Sequence, residues 1–145
     1  MVPHDADPWN LVRFLRAQVG MHDAALRELR AGRKTGHWIW YELPQVAGLG
    51  SSAMTREFAI SGLDEARAYL AHPVLRPRLE ELCEALLIHR GRDAAAVLGP
   101  IDARKVRSSM TLFLRADPSE PLFRRVLDAF YDGQPDPRTD ELLGG

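Results

Sequence analysis

The densest group of side chains able to recognise a ligand lies at residues 33–52, RKTGHWIWYELPQVAGLGSS. Trp38 and Trp40 stand there beside His37, Tyr41 and Gln45, followed by Gly48, Gly50, Ser51 and Ser52. Large rings with polar tips next to a flexible turn are a common lining of small-molecule pockets. The turn at 48–52 leads into an expected helix at 52–59, whose first backbone N–H groups could hold a phosphate or carboxylate. Arg33 and Lys34 would add positive charge. Lys34-Thr35 invites a P-loop reading, which fails because Arg33 occupies the glycine position that must precede the lysine. The same residues have a plainer reading. Trp38, Ile39 and Trp40 then fill the core, and Ser51 or Ser52 only caps a helix.

A second constellation is DARKVRSSMT, from Asp102 to Thr111. On a helix, Lys105 lies three residues from Ser108 and four from Ser109, so either hydroxyl could sit beside the ammonium. A desolvated lysine can activate a serine, but the order is the reverse of the Ser-x-x-Lys arrangement, and nothing marks an oxyanion hole. The alternative is structural: Asp102 caps the helix, Lys105 and Arg107 are solvated, and the serines permit close helix packing. The five histidines, His4, His22, His37, His72 and His89, show no metal-ligand spacing, and no metal or cofactor is expected. His72 before Pro73 reads as a helix-start residue, His89 as a cation at a helix C-terminus. Cys83 falls inside a leucine stripe and reads as core. Arg124-Arg125 reads as a solvated face.

These residues must be positioned by helices. Leu11, Phe14, Leu15 and Gln18 share one helical face; Ala25, Leu26 and Leu29 share another. Leu75, Leu79, Leu82, Cys83, Leu86 and Leu87 recur at three- and four-residue steps, with Pro77 expected to kink that helix or mark its start. Further helices are expected at 64–71, 93–98, 102–114, 137–143 and around Leu122–Phe130. The Asp-Pro pairs at 7–8, 117–118 and 136–137 suit an N-cap followed by a first-turn proline. Gly32, Gly91, Gly99 and Gly133 suit C-caps. Only 37–43 alternates enough to hide a strand. The expectation is an all-α, single-domain bundle of about eight or nine short helices across 1–145, its ordered core at about 7–143.

Bulk properties narrow the function classes. Hydrophobic residues at 46% and charged residues at 27% fit a packed domain, not a disordered chain. A formal charge of −1 argues against a dedicated nucleic-acid binder. One cysteine excludes an intramolecular disulfide and fits a cytoplasmic location. Residues 1–7, with two acids and a proline, do not form a secretion signal, and no apolar stretch reaches the length of a membrane span.

Four patterns carry a family resemblance. They are His37-Trp38-x-Trp40; Pro44-Gln45-x-x-Gly48-Leu49-Gly50-x-Ser52; Leu63-Asp64-Glu65-Ala66 with Tyr69-Leu70-x-His72-Pro73; and Lys105-x-x-Ser108-Ser109-Met110-Thr111-Leu112-Phe113. Together they resemble the bacterial domain-of-unknown-function family 1810 from about Asp7 to Leu143. The resemblance implies a compact multihelical fold and supplies no reaction. It does group the His37 and Lys105 segments, the two already singled out. From the residues themselves, the expected ligand is small and anionic, nucleotide-like or ADP-ribose-like. Trp38, Trp40 or Tyr41 would stack on its ring, and Lys105 with the 48–52 turn would hold its charge. Hydrolysis of such a ligand would first implicate His37. The alternative is a protein-interaction or scaffold domain without chemistry, which predicts an exposed apolar patch and no concave polar site. Oligomeric state is not legible in these residues.

Overall fold

The computed structural model describes residues 7–144. Ten helices form among them: α1 Val12–Gln18, α2 His22–Ala31, α3 Ile39–Glu42, α4 Ala53–Phe58 and α5 Leu63–Ala71, then α6 Leu75–Leu87, α7 Ala94–Leu98, α8 Pro100–Ala116, α9 Pro121–Tyr131 and α10 Pro137–Leu142. The architecture is all-α, with one or two helices more than expected. The extra one is α3, a single turn at 39–42, where alternation had left room for a strand. Trp38, Ile39, Tyr41, Glu42 and Leu43 are all buried, so the alternation of residue types there does not mark one buried and one solvated face as a strand would show. The one pairing of β type among the described residues is a single parallel bridge, Val46 with Ile60. It is closed by Ala47 N–H to Ile60 O at 2.8 Å and Ile60 N–H to Gln45 O at 2.9 Å.

Local chemistry explains most of the boundaries. The leucine stripe of α6 is buried along its whole length, and Pro77 leaves the helix unbroken because it sits in the first turn. There its missing N–H has no intrahelical acceptor to lose. His72 Nδ1 accepts from the N–H groups of Val74 and Leu75, at 3.1 and 3.3 Å, and so caps that start. His89 does the converse job, its Nε2 lying 2.8 Å from Leu29 O and 3.0 Å from Arg30 O at the end of α2.

The three Asp-Pro pairs divide. Asp136 caps α10, accepting from Thr139 N–H at 3.1 Å, with Pro137 in the first turn. Asp7 caps α1 across an intervening turn, accepting from Leu11 and Val12 N–H. Asp117 instead ends α8, while Glu120 caps α9 ahead of Pro121. The expected cap at Asp102 is also corrected. Helix α8 begins earlier, at Pro100, because Gly99 with φ 84° closes α7 and opens α8.

Helix α8 is the central element, packed by α3, α5, α7, α9 and α10. Ser108, Ser109 and Thr111 are buried on it, as expected of small residues where helices approach closely. A chain of rings runs through the core: Phe58, Phe14, Tyr69, Phe113 and Phe123, with successive centroids 5.8, 5.1, 5.2 and 5.9 Å apart. Such contacts add to the burial of the rings themselves. Cys83 is buried, and burial, with Glu80, Glu84 and Glu120 nearby, pushes its thiol far up, so it is inert core. Arg124 and Arg125 are exposed, as expected of a solvated face. No helix among the described residues is long and apolar enough to cross a membrane.

Candidate functional site

The segment from Arg33 to Gly50 reaches α8 because three contacts hold it there. Glu28 on α2 receives hydrogen bonds from Thr35 N–H and Gly36 N–H at 2.8 Å each and from Trp38 Nε1 at 3.0 Å. Burial raises the Glu28 carboxyl, but these donors, aided by Lys34, outweigh it and hold the group below the usual carboxylate range. Lys34 is nearly buried, ion-paired to Asp102 Oδ2 at 2.6 Å and placed over the Trp38 ring. Beyond α3, the Val46–Ile60 bridge fixes the chain before it turns at Gly48. That glycine has φ 101°, and a Cβ there would stand 3.0 Å from Leu142 of α10.

The result is a groove with two lobes along the N-terminal half of α8. The first, about 340 Å³, is lined by Gln45, Gly50, Thr55, Arg104, Arg107 and Ser108, with Asp136 and Arg138 from the start of α10. The second, about 370 Å³, is lined by His37, Ile39, Trp40, Leu98, Pro100 and Asp102. Ile101 and Lys105, one helical turn apart, line both lobes. Lys105 Nζ lies 5.0 Å from the Trp40 ring centroid and 4.0 Å from Asp102 Oδ1. Asp102 is already matched by Lys34, so most of the Lys105 charge faces the groove.

Of the expected site residues, His37, Trp40, Gln45, Gly50, Lys105 and Ser108 line this groove. The others do not. Trp38 is 0% exposed and offers no ring face. Tyr41 is buried, 5.4 Å from Phe58 between ring centroids. Gly48 packs on Leu142. Ser52 caps α4, accepting from Thr55 N–H at 3.1 Å; α4 has only six residues, too few for a strong terminal dipole. Ser109 is fully buried, its Oγ unpaired.

A serine–lysine nucleophile is not assembled. Ser108 Oγ lies 3.2 Å from Arg104 O and 3.1 Å from Asp136 Oδ2, and no hydrogen bond joins Lys105 to either serine among the described residues. Thr111 instead ties α8 to α10, its Oγ1 accepting from Asp136 N–H at 2.8 Å. The Trp40 indole N–H is buried without an acceptor. The ring borders a void of about 10 Å³ with Gln45 and Thr55, close to the minimum space for one water. No cluster of His, Cys, Asp or Glu able to hold a metal ion occurs among the described residues; His4 lies outside them.

Sequence reasoning missed Arg104, Arg138, Asp136 and Ile101 as groove residues and read Arg107 as solvated. Ile101, Arg104, Lys105 and Ser108 recur at three- and four-residue steps, a signal for one helix face. Asp136 and Arg138 arrive only through the tertiary placement of α10.

No curated protein matches the chain. Its fold is similar to the crystal structure of the conserved hypothetical protein Rv1873 from Mycobacterium tuberculosis, with a TM-score of 0.93 and 45% identity. The match covers 96% of this chain and 99% of that one. The family model described as protein of unknown function (DUF1810) matches residues 8–143, and the chain belongs to that family.

Proposed function

We propose that the chain binds a small anionic, nucleotide-like ligand in the two-lobed groove. The observation that carries this reading is Lys105, which lines both lobes, stands over the Trp40 ring and shares Asp102, its one ion-pair partner among the described residues, with Lys34. An anion at the junction meets an ammonium held in place by an aromatic face, an arrangement that desolvation strengthens. The second lobe supplies an apolar wall and one exposed π-edge for a flat group.

The interaction-domain alternative expects one apolar surface patch. The exposed large apolar side chains are Trp9, Val19, Val74, Ile88 and Ile101. Trp9 and Val19 flank opposite ends of α1, and Val74 and Ile88 opposite ends of the 13-residue α6. At about 1.5 Å per residue Val74 and Ile88 are ~20 Å apart along the helix and do not share one patch.

A thermal-shift panel of mono- and dinucleotides is the test. The expected result is a ligand-dependent rise in Tm that Lys105→Ala abolishes while leaving the unliganded Tm within about a degree or two, the usual scale for surface changes. Unchanged Tm across the panel in both proteins would defeat the proposal. Hydrolysis of the bound ligand is an extension of the same reading, with His37 at the rim of the second lobe as the first candidate for a general base.

A further inference from the structure

The charges on α8 are arranged against the interest of the free protein. Arg104, Lys105 and Arg107 stand together on the side of α8 that lines the first lobe. Arg104 and Arg107 are three residues apart, a spacing at which like charges repel. Carboxylates within reach would relieve this, and those present are committed elsewhere.

Asp102 is taken by Lys34 at 2.6 Å. Asp136, the only acid lining the first lobe, accepts from Thr139 N–H at 3.1 Å and Thr139 Oγ1 at 2.5 Å, with Ser108 Oγ 3.1 Å away. Arg107 is fixed by donating to Gln134 O at 2.8 Å and Pro135 O at 3.0 Å, carbonyls that orient its guanidinium without neutralising it. Arg104 has no carboxylate within ion-pair distance among the described residues. Arg138 is matched by Glu141 at 3.0 Å. Among the described residues the first lobe therefore holds two guanidinium groups, Arg104 and Arg107, with no carboxylate in ion-pair range, and one ammonium, Lys105, that shares Asp102 with Lys34 at the longer distance of 4.0 Å.

Resting on the binding reading above, we infer that the occupant carries two linked phosphoryl groups, a diphosphate, seated against Arg104, Lys105 and Arg107. Side chains three residues apart on a helix start about 5–6 Å from each other, a spread that two linked phosphoryl groups cover better than one. Guanidinium groups engage phosphate oxygens in pairs, and an ammonium adds a point charge. At ~30 Å³ per water, each lobe has room for on the order of ten waters, well beyond one phosphate. The second lobe then receives whatever the diphosphate is esterified to. Its wall of Ile39, Leu98, Pro100 and Ile101 beside Trp40 suits a flat or apolar group and offers few charges to an acid.

The test is calorimetric titration of the full chain with inorganic phosphate, inorganic pyrophosphate, adenosine, its 5′-monophosphate and its 5′-diphosphate. Pyrophosphate is expected to bind at least tenfold more tightly than phosphate, and the nucleoside diphosphate more tightly than pyrophosphate. Arg104→Gln, at an exposed side chain that makes no hydrogen bond or ion pair among the described residues, is expected to weaken pyrophosphate at least fivefold with the unliganded Tm unchanged. Equal affinity for phosphate and pyrophosphate, with Lys105→Ala still abolishing monophosphate binding, overturns the diphosphate assignment and spares the binding reading. Pyrophosphate binding indifferent to Arg104→Gln overturns the assigned seat. No binding by any member of the series overturns both.

Discussion

At the residue scale the least conspicuous contributor is Glu28. On a helix surface, between Arg27 and Leu29, it reads as one more solvated acid, yet its carboxylate organises the chain leading into the groove. It accepts from two backbone N–H groups and the Trp38 indole. Removing it strands the indole donor of a fully buried ring, and unsatisfied buried donors cost ~1–3 kcal/mol. Glu28→Ala is therefore expected to destabilise the protein by about 2 kcal/mol in urea denaturation and to loosen the 33–38 loop, seen as faster amide exchange at Gly36. A loss below about half a kcal/mol, the range of ordinary surface changes, would show that water replaces the carboxylate. The groove residues divide by the same logic. Lys105 and Trp40 were legible because their types are rare enough to notice, whereas Arg104 was hidden by its ordinariness. Trp38 and Tyr41 misled for a physical reason: a ring with a polar tip is equally fit for a pocket or a core, and the choice is made by neighbours such as Glu28 and Phe58.

At the element scale, helical periodicity made nearly every helix readable, and capping chemistry set the ends less uniformly. Asp117-Pro118 and Asp136-Pro137 are the same dipeptide with different outcomes. The Asp117 carboxylate accepts from Ser119 N–H and receives Arg76, at 3.2 and 3.0 Å, so it is spent on the turn that ends α8. Asp136 meets Thr139 and Ser108 and starts α10. Nothing within the dipeptide distinguishes them; residues two and three positions on, and a second helix, do. Of the four glycines expected as C-caps, Gly32 and Gly99 hold that position, whereas α6 ends at Ile88 ahead of Gly91 and α9 at Asp132, whose own backbone is left-handed, ahead of Gly133. Gly32 closes α2 with φ 77°, and a Cβ there would lie 2.4 Å from Arg92 Nη1 and 2.8 Å from the His89 ring. Gly62, before α5, has φ 167°, extended backbone open to any residue, with no atom within 4 Å of the added carbon. Gly32→Ala should cost about 1–2 kcal/mol from the left-handed backbone alone, plus displacement of Arg92 and His89. Gly62→Ala should be neutral or stabilise by up to about 1 kcal/mol by restricting the unfolded chain. Guanidinium denaturation of the pair separates the two, and equal midpoints would refute the assignment of strain to Gly32.

At the scale of the whole molecule, a buried polar knot joins five helices that the sequence showed only as separate stripes. Gln18 Nε2 donates to Tyr41 O at 2.7 Å and Arg78 to Gln18 Oε1 at 3.1 Å, linking α1, α3 and α6. His22 Nδ1 lies 2.7 Å from Glu42 Oε1, and its Nε2 is 3.5 Å from Glu81 Oε1. Tyr69 of α5 completes the surroundings, its hydroxyl pushed far up by burial, with Glu42 adding to the effect. Burial drives the Glu42 carboxyl above its usual range despite His22 and Arg78, and its Oε2 has no partner. Burial lowers His22, but Glu42 and then Glu81 outweigh it and raise the imidazole above its usual value. Both shifts have the same consequence. From the unfolded Glu42 value of 4.5 up to its raised folded value, and from the unfolded His22 value of 6.5 up to its own raised folded value, the native state holds more protons than the unfolded chain. Stability contributed by the pair is then greatest on the acid side and is lost as the pH rises. Glu28, Asp117 and Glu120, held below the usual carboxylate range, act with the opposite sign but only at lower pH, as they become protonated. The expected outcome is a free energy of unfolding that declines between pH 5 and pH 8. Glu42→Gln, which removes one titrating group and the partner that raises the other, should flatten that decline. A slope unchanged by Glu42→Gln in urea titrations at the two pH values would mean that the knot does not govern the pH response of the fold.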